Sequence, residues 1–132
     1  MSKPKPLIAI VDDDESVCRA MKRLVRSLGM EADAFTSGRE FIDRIETMPS
    51  FQPDCVVLDV QMPGMSGLEV QERLANSGNR LPVIFITAHD DAGVRDRALA
   101  AGAIDFLRKP FNDELFMKTL HVALKEYRGD NS

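Results

Sequence analysis

Four places in this chain hold residue types that could do chemistry: Asp12-Asp13, Asp59, Thr87 and Lys109. Each lies at the end of an apolar run. Leu7-Ile8-Ala9-Ile10-Val11 leads into Asp12-Asp13-Asp14-Glu15, and Val56-Val57-Leu58 into Asp59. Pro82-Val83-Ile84-Phe85-Ile86 leads into Thr87, and Lys109 follows Ile104-Asp105-Phe106-Leu107 by two positions. Taken singly these are ordinary. A strand-end Asp mostly accepts backbone N–H bonds, and a strand Thr needs no function. Brought to one edge, three carboxylates repel one another unless something positive joins them. A hard divalent cation meets that need, and Mg2+ with several retained waters suits a shallow carboxylate cluster. Lys109 adds one more compact charge. A carboxylate is also a known nucleophile toward phosphoryl groups. It is ionised at neutral pH, so it needs no general base. A cation, an ammonium and a hydroxyl around it supply the positioning and charge neutralisation that phosphoryl transfer chiefly requires.

Such a gathering needs strands that all point the same way. The apolar runs, bounded by turn residues, read as buried strands. Helical patterns separate them. Val17, Met21, Leu24 and Leu28 mark one face of a first helix. Asp14 is its N-cap, Glu15 suits the positive end of its dipole, and Gly29 takes the C′ position. A weak second strand covers 32–35. Ser37 with Glu40 forms the capping box of a second helix, whose apolar face is Phe41, Ile42 and Ile45. After the third strand, 55–58, Gly64 and Gly67 shape a loop, and Ser66 caps a helix built on Leu68, Val70 and Leu74. The fourth strand ends at Thr87, and Asp91 opens a helix carrying Val94, Ala98, Leu99 and Ala101. With so few large apolar groups, that helix is expected to be the least firmly anchored element and a candidate to move. A fifth strand covers 104–107. Asn112 caps a last helix on Leu115, Phe116, Leu120, Ala123 and Leu124.

Strand and helix alternate five times, which implies parallel βαβ units with right-handed crossovers. No G-x-G-x-x-G and no Walker A loop follows a strand. The expected fold is α/β: a five-stranded parallel sheet of order 2-1-3-4-5 with helices on both faces, flavodoxin-like. Strands one and three are neighbours in that order, so Asp12, Asp13 and Asp59 converge at its carboxyl edge with Thr87 and Lys109.

Composition narrows the class. The 132 residues are 44% apolar and 29% charged, enough for one domain with its own core. A net charge of −4, with no basic run, gives no footprint for direct nucleic-acid binding. No apolar run approaches the ~20 residues of a membrane span. The basic start lacks the apolar core of a signal peptide. Cys18 and Cys55 match no metal or redox spacing and read as buried free thiols, which points to a cytoplasmic protein.

Val11-Asp12-Asp13-Asp14, Leu58-Asp59-Val60-Gln61-Met62-Pro63-Gly64-Met65-Ser66-Gly67, Ile86-Thr87-Ala88 and Lys109-Pro110-Phe111 come in one order and spacing. As a set they resemble the receiver domain of two-component response regulators, the CheY-like family. The likeness covers residues 5–127, with 1–4 and 128–132 as flexible termini. It is strongest toward receivers of helix-turn-helix transcription factors. The resemblance implies that Asp59 is the phosphoacceptor. Asp12 and Asp13 are the acidic metal pair, and Gln61 offers its backbone carbonyl to Mg2+. Thr87 and Lys109 are the family's hydroxyl and lysine, and Phe106 its aromatic switch. Lys109-Pro110 is expected to be cis. Gln61 and His89 flank the path of attacking water and tune how long the phosphoryl group survives. The implied partners are a sensor histidine kinase or phosphotransfer protein, and a second copy of the chain on activation. The implied activity is a switch of the face made by the fourth helix, fifth strand and fifth helix. It acts as a signalling switch rather than an enzyme, although it catalyses its own phosphoryl transfer and slow autodephosphorylation. The chain reads as a single-domain regulator or the isolated N-terminal receiver of a transcription regulator, since too few residues remain for a DNA-binding domain.

Two other classes remain open on sequence. A Mg2+-dependent phosphohydrolase of the haloacid dehalogenase type also uses an Asp nucleophile, but it carries a second carboxylate where this chain has Gln61. An interaction module that never takes phosphate would be expected to have lost part of the acidic set, Thr87 or Lys109.

Overall fold

The computed structural model describes residues 5–89 and 92–128. Ten elements alternate along the chain: β1 Leu7–Val11, α1 Glu15–Ser27, β2 Glu31–Phe35, α2 Gly38–Thr47, β3 Cys55–Asp59, α3 Gly67–Asn76, β4 Val83–Thr87, α4 Ala92–Ala100, β5 Asp105–Arg108 and α5 Asp113–Arg128. The strands form one parallel sheet in the order β2-β1-β3-β4-β5.

Strand alternation sorts the core into two layers. Ala9, Val11, Val56, Leu58, Val83 and Phe85 face α2, α3 and α4 through Phe41, Ile42, Val70, Leu74 and Ala98. Ile8, Ile10, Cys55, Val57, Ile84 and Ile86 face α1 and α5 through Cys18, Met21, Val25, Phe116, Leu120 and Ala123. Both faces of the three central strands are covered, which is why their sequences are continuous apolar runs rather than alternating ones.

Caps set the helix starts. Asp14 accepts from the Ser16 and Val17 N–H groups, Ser37 from Glu40, Ser66 from Glu69, and Asn112 Oδ1 from Leu115 at 2.6 Å. The box expected at Ser37 closes only on one side. The Glu40 carboxylate accepts from the Thr36 and Ser37 hydroxyls instead of the Ser37 backbone. The box at Ser66 closes on both sides. Gly29, at φ +83°, ends α1.

Several apolar positions differ from the sequence pattern. The buried stripe of α1 is Cys18, Met21 and Val25, at i, i+3 and i+7. Val17, Leu24 and Leu28 only flank it, because counting the thiol as apolar rotates the stripe. On α5 the large residue Leu115 is exposed, and Phe116 takes the place beneath it. Ala98 is the buried residue of α4; Leu99 and Ala101 face solvent, and Ala101 lies past the helix end. Strand β5 begins one residue later than the apolar run, because Asp105 pairs with Ile84 while Ile104 only donates to the Val83 carbonyl. Asp91 and the termini 1–4 and 129–132 lie outside the described residues, and α5 extends through Arg128.

Candidate functional site

Register brings the site together. Val11 pairs with Leu58, so Asp12 and Asp59, the next residues, leave the sheet side by side. Asp59 is level with Ile86, and Thr87 with Arg108, which places Lys109 just beyond the same edge. Carboxylate oxygens of Asp12, Asp13 and Asp59 lie within 4.8 Å of one another. Asp12 is fully buried, Asp59 is 6% exposed, and Asp13 faces solvent. The cluster therefore has two held members and one open side.

Each member has its own fixings. The Lys109 ammonium donates to Asp12 Oδ2 at 2.8 Å and lies 4.0 Å from Asp59 Oδ2. Its main partner is thus Asp12, with Asp59 at the outer limit of an ion pair. Asp12 Oδ1 accepts from the Asp14 N–H at 2.9 Å. The Cys18 thiol donates to the Asp12 carbonyl at 3.2 Å. That last contact had no signal in the sequence, where Cys18 reads only as a core thiol. Thr87 is buried, and its Oγ1 accepts from the His89 N–H at 3.1 Å.

The electrostatics are those of an incomplete set. Burial, then the neighbouring Asp12 charge, push the Asp59 carboxyl up to about 7, against the opposing pull of Lys109. Were all three carboxylates ionised, one ammonium would leave two negative charges over. The raised Asp59 carboxyl answers that excess: it is not fully ionised at neutral pH, contrary to the expectation from sequence. All the donor atoms are hard oxygens, which suits a divalent cation of the Mg2+ class. The residues fit such an ion.

The remaining sequence candidates occupy two zones. Phe106 is half-buried on β5, on the same face as Phe85, with ring centroids 6.1 Å apart. Thr87 follows Phe85 by two positions and so shares that face. The side chains of Gln61 and His89 are exposed, and the His89 backbone N–H is the one held by Thr87 Oγ1. The Lys109-Pro110 peptide bond is cis. His121 stands apart on α5, exposed.

The family model described as the response regulator receiver domain matches residues 8–121. This chain belongs to that family. It is 42% identical to the response regulator protein TmoT of Ectopseudomonas mendocina, over 95% of this chain and 56% of the relative. It is also 42% identical to nodulation protein W of Bradyrhizobium diazoefficiens, over 94% of this chain and 53% of the relative. Among solved structures, a response regulator receiver protein from Burkholderia phymatum is 62% identical, with a TM-score of 0.82 over 91% of this chain and 95% of that one. The chain spans about half the length of the curated relatives it matches. It is a receiver domain, a module of phosphorylation-controlled signalling. No helix among the described residues is long and apolar enough to cross a membrane.

Proposed function

We propose that this receiver accepts a phosphoryl group on Asp59 from the phosphohistidine of a sensor kinase or phosphotransfer protein. The observation that carries the proposal is the carboxylate cluster, with three acids within 4.8 Å at the end of β1 and β3 and one lysine bound to Asp12. Asp12, Asp13, Asp59 and the Gln61 carbonyl would hold Mg2+, which when bound neutralises the cluster and the phosphoryl oxygens. Asp59 then attacks phosphorus as a carboxylate, and the phosphohistidine nitrogen leaves. Lys109, already 4.0 Å from Asp59 Oδ2, is placed to hold a phosphoryl oxygen, and Thr87 to donate to another.

Readout follows from charge. Added acyl phosphate carries roughly −1.5 to −2, as side-chain phosphates do near pH 7. Thr87 turns toward it, and Phe106, half-buried beside Phe85, moves into the space released. The face of α4, β5 and α5 shifts with them, a local charge change read by a two-state surface. A homodimer on activation would form through this face. Gln61 and His89 stand where water reaches Asp59, so they set the rate at which the domain removes its own phosphoryl group. The receiver folds over residues 5–127, acts in the cytoplasm, and serves a regulator whose output lies in a separate domain or a separate protein.

Intact mass after incubation with phosphoramidate tests this. With Mg2+ the chain should gain one phosphoryl group, roughly 80 Da. The gain should vanish without Mg2+ and in Asp59→Asn, because a carboxamide cannot form the acyl phosphate. A gain that persists in Asp59→Asn at full stoichiometry overturns the assignment of Asp59.

A further inference from the structure

Asp13 is the least restrained member of the carboxylate cluster. Asp12 and Asp59 are buried, whereas Asp13 is exposed. Its side chain has no hydrogen-bond or ion-pair partner among the described residues. Its carboxylate still comes within 4.8 Å of the other two. The backbone must therefore set its place. The peptide unit before it carries the Asp12 carbonyl at one end and the Asp13 N–H at the other. Such a unit is planar and turns as one body, so whatever holds the carbonyl also aims Asp13.

That carbonyl has a single donor among the described residues. Asp12 is fully buried, and a buried carbonyl needs a partner. The Cys18 thiol on α1 supplies it at 3.2 Å. Cys18 is 5% exposed, and burial raises its thiol above the usual range, so it keeps the proton it donates. The Phe35 carbonyl is the more distant acceptor at 3.8 Å, and it already accepts from the Asp12 N–H at 3.0 Å. Cys18 also reaches the other end of the turn, where its N–H donates to the Asp14 carbonyl at 3.1 Å. Any residue at this position could make that main-chain bond. The bond to the Asp12 carbonyl needs a side-chain donor.

We infer that Cys18 is a positioning residue for the Mg2+ cluster, its thiol holding the Asp12–Asp13 peptide unit so that the Asp13 carboxylate stays beside Asp12 and Asp59. The inference deepens the proposed function and rests on its metal reading of the three acids. Without the thiol, the buried carbonyl loses its donor. The unit then turns toward another, and Asp13 turns with it.

The test is Mg2+ binding to the intact chain by calorimetry, with no phosphodonor present. Cys18→Val keeps an apolar side chain of similar size and deletes the donor, and Cys18→Ala deletes it without branching in the helix. Cys18→Ser restores a donor. Cys55→Val removes the other buried thiol, whose nearest acceptor is the Val56 carbonyl at 3.9 Å. The Mg2+ dissociation constant should rise about three- to tenfold in Cys18→Val and Cys18→Ala. Outer-shell partners generally cost about 10- to 100-fold, and a thiol is a weak donor. The constant should stay within about twofold of the parent in Cys18→Ser and Cys55→Val. Urea midpoints without Mg2+ accompany each value, because a merely structural role would lower midpoints and leave Mg2+ affinity alone. Donor-deleting variants within about twofold of the parent, or an equal loss in Cys18→Ser, overturn the inference. The route is tested by adding Cys18→Val to Asp13→Asn. The further loss should be under about twofold, since both changes act on one ligand, and a full second loss overturns the route through Asp13. A parent that binds no Mg2+ overturns the metal reading and the inference together. A parent that binds it, with the Cys18 variants in the expected order, yet takes up no phosphoryl group from phosphoramidate sustains the inference and counts against the phosphoacceptor reading alone.

Discussion

Asp12 is fully buried, bound by Lys109 at 2.8 Å, and flanked by strands covered on both faces. Two strands away, α4 rests on Ala98 as its buried residue, with Leu99 turned to solvent. The carboxylate cluster needs ångström precision, and it is built where the core is deepest. In the proposed switch α4 is the part of the reading surface that must move at low cost, and Ala98 is its buried residue. Local stability thus follows function along one sheet edge.

The contrast breaks most visibly under truncation. Phe116 is fully buried behind the sheet and Leu99 is 38% exposed on α4. Phe116→Ala should lower unfolding free energy by about 3–5 kcal/mol. Leu99→Ala should stay within about 0.5 kcal/mol. Urea unfolding of both variants checks the difference, and a Leu99→Ala loss as large as that of Phe116→Ala would mean α4 is anchored after all.

A second effect arises at the cluster itself. Asp59 rises from 3.8 to about 7 in the folded chain, first through burial and then through Asp12. A raised acid favours the folded state while it stays protonated, so its contribution is whole below about pH 4 and is lost as pH climbs through about 7. A shift of this size bounds the loss near 4 kcal/mol. The solvent-facing side at Asp13 screens the cluster, so about 1–2 kcal/mol is expected. Without Mg2+, Asp59→Asn should therefore be more stable than the parent at pH 8 and little different at pH 4. Mg2+ should reduce that gain, because three carboxylates in the parent hold a divalent cation more tightly than the two left in the variant. Urea midpoints at the two pH values decide it, and a variant advantage that does not grow with pH would remove the charge explanation.

The sequence disclosed the sheet order and the gathering of Asp12, Asp13, Asp59, Thr87 and Lys109, because parallel topology turns strand-end position into proximity. It disclosed less where a side chain's rank depends on neighbours. Leu115 is larger than several buried residues yet lies exposed, and the α1 stripe rotates onto Cys18. Periodicity gives a helical face but not its centre. Pairing inside the site was also out of reach. That Lys109 holds Asp12 closely and Asp59 only at 4.0 Å, or that Gly67 abuts the Asp59 carbonyl, depends on side-chain and backbone placement that no spacing encodes.

The smallest effect sharpens the comparison at the loose end. Gln71, buried on α3, donates from Nε2 to the Ala98 carbonyl on α4 at 3.2 Å. That carbonyl also accepts from the Ala103 N–H at 3.0 Å. Removing the Gln71 donor therefore leaves no orphaned acceptor, and the global cost stays small. Gln71→Leu keeps the volume and deletes the bond, so it should cost about 0.5–1 kcal/mol. The local consequence should be larger than the global one. A cavity of about 280 Å³ borders Gln71, Leu74, Ala101 and Gly102, so the end of α4 has room to shift once released. Amide exchange in α4 should quicken while β1 and β3 amides keep their protection. A uniform rise across all strands would mean that Gln71 contributes only to the common core. An unchanged α4 would mean that Ala98 packing alone holds the helix, and the reading surface would then owe its looseness to the side chains it lacks rather than to a single bond.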